Sequence, residues 1–101
     1  ALNFMELLAG SDFEIEEFQL SRDPLHLMDI RGKSLAELEL GRRSGALVLA
    51  IRDGSELIAN PGGETQLAPG QLLIVLGSKP QLKRFQALLG EAVASIETMA
   101  S

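Results

Sequence analysis

Between Gly32 and Leu89 the chain runs GKSLAELELGRRSGALVLAIRDGSELIANPGGETQLAPGQLLIVLGSKPQLKRFQALL, and the spacing of its turn residues leaves little freedom in how it folds. Asp53-Gly54 is a hairpin signal between two apolar runs, Ala46–Arg52 and Glu56–Ala59. Asn60-Pro61-Gly62-Gly63 makes a second turn. Pro69-Gly70 makes a third, of the type II kind, before the run Leu72–Leu76. Each run is too short for a helix of ordinary length, so these are strands, and Ala46–Arg52 reads as buried on nearly both faces.

Helix signals bracket the strands. Ser34-Leu35-Ala36-Glu37 is a capping box: the Ser34 hydroxyl can accept from the Glu37 amide while the Glu37 carboxylate reaches back. A short helix follows, with Leu35 and Leu38 inward and Gly41 ending it. Ser78, with Pro80 in the first turn and Gln81 at the capping-box position, starts a second helix. Its stripe is Leu82, Phe85, Leu88 and Leu89, and Gly90 stops it.

Upstream, Phe13–Leu20 reads as a strand whose alternation slips once, placing a bulge or bend near Glu16–Glu17. Ser21–Pro24 is a loop, and Leu25–Ile30 is either strand or irregular. The fold class is therefore α+β: a small, mostly antiparallel sheet with helices on one side, in the order β-α-β-β-β-α. Residues 1–10 form the end of a connecting helix or linker, carried by Leu2, Phe4, Met5, Leu7 and Leu8 and stopped by Gly10. Residues 11–90 are the domain. Residues 91–101 form a tail, weakly helical through Val93 and Ile96 or frayed. Starting at Ala1 without Met, the chain is expected to continue a longer protein whose remainder lies N-terminal.

A net charge of −5 argues against nonspecific binding to nucleic acid or anionic membrane. The apolar runs fall far short of the roughly 18 residues a membrane span requires, and no signal peptide is visible. With no cysteine there is no disulfide or thiolate metal site, which fits a reducing cytoplasm.

No catalytic constellation is present. No serine sits in a nucleophile elbow, and the lone His26 supports neither a triad nor a metal site. Glu14, Glu16 and Glu17 read better as the solvated face of an edge strand than as ligands for a hard cation. Arg42 and Arg43 read as solvated, or as partners of Glu37 or Glu39. Arg52 stays open between two roles. Ending an apolar strand, it suits the phosphate of a small ligand; alternatively it pairs with Asp53 or Glu56. Pro61-Gly62-Gly63 lacks the lysine and spacing of a phosphate cradle and is a turn.

Three segments together resemble the C-terminal regulatory domain of the TrkA/RCK family (regulator of conductance of potassium). They are Gly32–Leu38, Gly45–Arg52, and Asn60-Pro61 followed by Leu67–Gly77, in the family's order and spacing over about two-thirds of the chain. Where the family commonly has Asp after the Pro-Gly turn this chain has Gln71, a change expected to matter little in a turn. The resemblance implies a dimerising, ligand-sensing domain on the cytoplasmic side of a membrane transport protein. It would follow an N-terminal nucleotide-binding domain and control a potassium channel or transporter pore. The alternative is a structural dimerisation module of another permease or antiporter. Uncovered apolar strands support a homodimer independently.

The implied ligand is cyclic di-AMP or a divalent cation. For a cyclic dinucleotide, Arg52 would meet the phosphates. Ile51, with Leu49 or Ala50 according to which face is exposed, would form the apolar floor. Asn60 would bond a base edge and Pro61 pack on a base plane. No catalytic residue, no metal ligand and no nucleic-acid partner is expected.

Overall fold

The computed structural model describes residues 3–100; Leu2 and Ser101, assigned above to the first helix and the tail, lie outside them. Five strands form one antiparallel sheet in the order β3-β2-β4-β1-β5. They are β1 (Phe13–Leu20), β2 (Leu47–Asp53), β3 (Glu56–Ala59), β4 (Leu72–Ser78) and β5 (Val93–Ala100). The helices are α1 (Phe4–Ala9), α2 (Leu35–Leu38), α3 (Leu40–Ser44) and α4 (Lys79–Leu89). Among the described residues no helix is long and apolar enough to cross a membrane.

Alternation along paired strands sorts the side chains onto two faces. Phe18 opposite Leu73, Val75 opposite Val48, and Ile51 opposite Leu73 and Ile58 share the core face. There Phe18, Ile51, Leu73 and Val75 are fully buried with Leu40, Leu82, Phe85 and Leu89 of α3 and α4. The Phe18 and Phe85 rings meet at 5.0 Å, tilted by 58°. The opposite face carries Phe13, Ile15, Leu47, Leu57, Leu72, Ile74 and Leu76. Among the described residues only α1 reaches it, burying Leu8 and Ile15, while Phe13, Leu47 and Leu57 stay about half exposed. The strand expected to be buried on both faces is therefore open on one at Leu47, beyond the part of that side that α1 covers.

Both cap signals form as read. Ser34 Oγ accepts from the Glu37 amide at 3.1 Å and Glu37 Oε1 accepts from the Ser34 amide at 3.0 Å. Ser78 and Gln81 repeat the arrangement at the start of α4. The first helix does not run to Gly41, however. Glu39, in the left-handed region at φ 51°, ends α2, and α3 continues to Gly45 at φ 82°. Gly70, at φ 80°, fits the third position of a type II turn. Leu25–Ile30 is neither strand nor wholly irregular: Pro24–Leu27 is a 3-10 turn capped by Asp23, and it buries Leu27 and Ile30.

Two further sequence expectations are corrected. The tail is neither helical nor frayed: β5 pairs with β1 along the sheet edge. Val93 lies opposite Leu20 and Ile96 opposite Phe18, so three residues on β5 span two on β1. A bulge in a strand thus copied the i, i+3 spacing of a helix. The slip in β1 leaves its pairing with β4 uninterrupted from Phe13 to Gln19; the irregularity near Glu16 falls in the β1–β5 ladder, between Ile15 and Glu16, with the extra residue on β5. Phe13 and Ile15 face α1, whereas Phe18 and Leu20 face the core, so the change of phase is a change of covered face.

Candidate ligand-binding site

The six residues singled out in sequence fall into three places. Ile51 is fully buried in the core, opposite Leu73, and is removed from any ligand floor. Its neighbours go the other way. Ala50 and Arg52 lie on the open sheet face, in register with Ile74 and Leu72 on β4 and with Ala59 and Leu57 on β3. Arg52 is exposed and has no ion pair among the described residues.

Leu49, Asn60 and Pro61 gather at the other end of the β2–β3 ladder. A register shift between Val48 and Ala50 sets Leu49 apart from the β4 pairing. Its carbonyl accepts from the Asn60 amide at 2.8 Å. Asn60 is left-handed at φ 48°, which turns the chain away from the sheet and sets half-buried Pro61 beside Val48. Arg52 and Leu49 are three residues apart, about 10 Å along a strand. One protomer therefore presents a single arginine on an apolar sheet face and a separate apolar corner.

Asp53, offered in sequence as a partner for Arg52, is engaged elsewhere. Gln71 donates from Nε2 to Asp53 Oδ2 at 3.1 Å, and its Oε1 accepts from the Ala68 amide at 2.9 Å. Gln71 is 3% exposed. The turn position expected to be indifferent thus ties the β3–β4 connection to the end of β2. Only the fold reveals this pairing, because Asp53 and Gln71 are distant in sequence.

The acidic group divides between faces. Glu14 and Glu16 share the side of α4, where Lys79 Nζ lies 3.8 Å from Glu14; Glu17 points to the opposite face. Burial and then the neighbouring Glu14 raise the Glu16 carboxyl above its usual range, against a hydrogen bond from Thr98. Among the described residues no three acids or histidines gather as a metal site. His26 Nδ1 lies 2.8 Å from Ser21 Oγ, and its other nitrogen lies 4.0 Å from Asp23. Ser21 Oγ also accepts from the Asp23 amide, so these contacts fasten a loop.

Arg42 pairs with Glu39, holding that carboxyl below its usual range. Sequence reasoning missed what lies beside them: a groove of about 360 Å³ between the α2–α3 corner and the start of β2, with Pro61 on its rim. The Glu39 turn creates it, and in sequence that turn was hidden inside one continuous helix.

A family model described as the TrkA-C domain matches residues 29–90. Among curated proteins, probable potassium channel protein 2 of Methanocaldococcus jannaschii is 30% identical over 78 residues, covering 77% of this chain and 22% of that protein. The chain thus spans about a fifth of that relative's length. The RCK_C domain dimer of S. agalactiae BusR in complex with c-di-AMP is 23% identical with a TM-score of 0.66, over 78% of this chain and 93% of that one. BusR in complex with its busAB-promotor DNA matches at 22% identity and a TM-score of 0.69, over 88% and 39%. At these identities the BusR likeness concerns the fold. The RCK C domain of the potassium transport protein KtrA, in complex with c-di-AMP, is 27% identical with a TM-score of 0.63, over 74% and 81%.

Proposed function

Because the chain belongs to the TrkA-C domain family, we propose that it is the ligand-sensing regulatory domain of a potassium channel or transporter, held on the cytoplasmic side of the membrane. The observation that carries this reading is the family match over residues 29–90, joined to a sheet that leaves one face apolar and open. Its role is regulatory, as for the family; among the described residues, Ser21, His26 and Asp23 come together to close a loop.

Two copies associate through the open face, where Phe13, Leu47 and Leu57 are exposed. A ligand at a two-fold junction that fits one arrangement of the copies better than another shifts their equilibrium by its differential affinity. That shift pulls on the N-terminal side through α1, which packs on the same face, and so on an attached nucleotide-binding domain and the pore beyond. The ligand class is a cyclic dinucleotide, as in the KtrA complex. Arg52 meets its phosphates, Ala50 and Leu49 supply apolar surface, and Asn60 and Pro61 receive a base. Two-fold symmetry presents the separated halves of this set to a two-fold ligand. A net charge of −5 argues against nonspecific binding of nucleic acid by the domain itself.

Sedimentation equilibrium at micromolar concentration tests the assembly, and a thermal-shift screen tests the ligand. The reading expects a dimer whose melting temperature rises with c-di-AMP by mass action on the folded state. A clean monomer removes the sensing mechanism. A dimer indifferent to c-di-AMP, mononucleotides, calcium, magnesium and zinc leaves a structural dimerisation module.

A further inference from the structure

We propose that the groove between α4 and the β1–β5 edge of the sheet binds a single free aliphatic amino acid, its ammonium against Glu14 and Glu16 and its carboxylate against Lys79 and Lys83. The groove is about 260 Å³, below the range of sites for drug-sized ligands and suited to a smaller one. Its two walls carry opposite charge. Glu14 and Glu16 alternate along β1 and so share a sheet face. Lys79 and Lys83 are spaced by a turn of α4 and so share a helix face. Between the walls the floor is apolar, made by buried Leu82 and half-buried Ile96.

These charges are poorly matched within the chain. The Glu14 side chain is sheltered, 15% exposed, yet Lys79 Nζ stands 3.8 Å off, too far for a hydrogen bond, on a side chain 79% exposed. Among the described residues Glu16 meets only Thr98 Oγ1, at 3.5 Å. Burial and then Glu14 raise its carboxyl above the usual range, so a cation there would relieve it. No acidic residue lies on α4, and Lys83 has no ion pair among the described residues.

The lining selects by exclusion. Two carboxylates and two ammoniums sum to no net charge. A divalent cation would bring its charge up against the lysines, and a phosphate against the glutamates. A molecule that is neutral overall but holds both charges meets each wall with its complement. A free amino acid carries both on one carbon, whereas a peptide end carries one. The apolar floor takes an aliphatic side chain. The groove faces α4, whereas Ala50 and Arg52 lie on the other face of the sheet, so this inference stands apart from the function proposed above.

A nuclear magnetic resonance titration of the labelled chain with L-leucine tests it. Saturable shifts are expected at the amides of Glu16, Lys83 and Ile96. Glu16→Gln removes a sheltered carboxylate and should weaken binding about tenfold or more, while Lys83→Gln, at an exposed position, should weaken it about threefold. Leucinamide lacks the carboxylate and 4-methylpentanoate the ammonium, and each should bind wild type about threefold more weakly or worse. Arg52→Gln should bind leucine like wild type. No saturable shift overturns the proposal, as do shifts confined to Ala50, Arg52 and Leu57 on the open face. Unchanged affinity in Glu16→Gln or Lys83→Gln, equal binding of either analogue, or a loss in Arg52→Gln as large as in Glu16→Gln overturns it as well.

Discussion

Replacing Gln71 by Asp, the residue common in the family at this place, should destabilise this chain even though the position follows a turn. Gln71 is almost wholly buried and holds Asp53 Oδ2 at 3.1 Å through its amide nitrogen. An aspartate keeps an acceptor toward the Ala68 amide but removes the only donor on Asp53 that the structure shows. It also sets one carboxylate toward another. A lost hydrogen bond to a charged group costs about 1.5–3 kcal/mol, and Asp53 faces solvent enough to screen much of the added repulsion. The expected loss is thus about 2 kcal/mol at neutral pH. Urea unfolding at fixed protein concentration measures it, since association would otherwise shift the midpoint. Pairing like charges raises a carboxyl pKa, so part of the loss should disappear as the pH falls and one group takes a proton. Asp53→Asn in the Gln71→Asp background should recover at least half, because the asparagine amide can donate across the pair. A change below about 0.5 kcal/mol, or strict additivity of the two substitutions, would refute the bridge.

Ser34→Ala should lower stability by about 1 kcal/mol in the same assay, through loss of the α2 cap. The Glu37 carboxyl is depressed by its bonds from Ser34, so the stability it brings is present above the unfolded value of 4.5 and is lost as pH falls through the folded one. Glu16→Gln should act in the opposite sense. The raised Glu16 carboxyl penalises the fold when ionised, so the variant should be slightly more stable near pH 7 and equal to wild type well below pH 4.5; a pH series of melting curves checks this. Phe85→Ala should cost about 3–5 kcal/mol, measured by urea titration, because the ring is fully buried against Phe18.

Local chemistry was legible in the chain and tertiary choice was not. The two capping boxes, the hairpin at Gly54 and the type II turn each rest on residues within four positions, and each forms. Failures came where a partner decided the outcome. Val93 and Ile96 imitate a helix until Phe18 and Leu20 lie beside them. The turn at Glu39 has no glycine to announce it, so α2 and α3 read as one helix. Within the candidate site, alternation made it certain that neighbours on β2 would part. Which of Ala50 and Ile51 would face the helices depended on where α4 docks, and both end up buried. Gln71 was undervalued because the residue it bonds is 18 positions away.

Calorimetric titration of c-di-AMP into wild type and Arg52→Ala tests the central claim most directly. The account predicts one ligand per two chains and an affinity weaker by about 1.5–3 kcal/mol in the variant, the range for hydrogen bonds to a charged group, with the dimer intact. Equal affinities would take Arg52 out of the site. Absence of wild-type binding would contradict dinucleotide sensing by this domain.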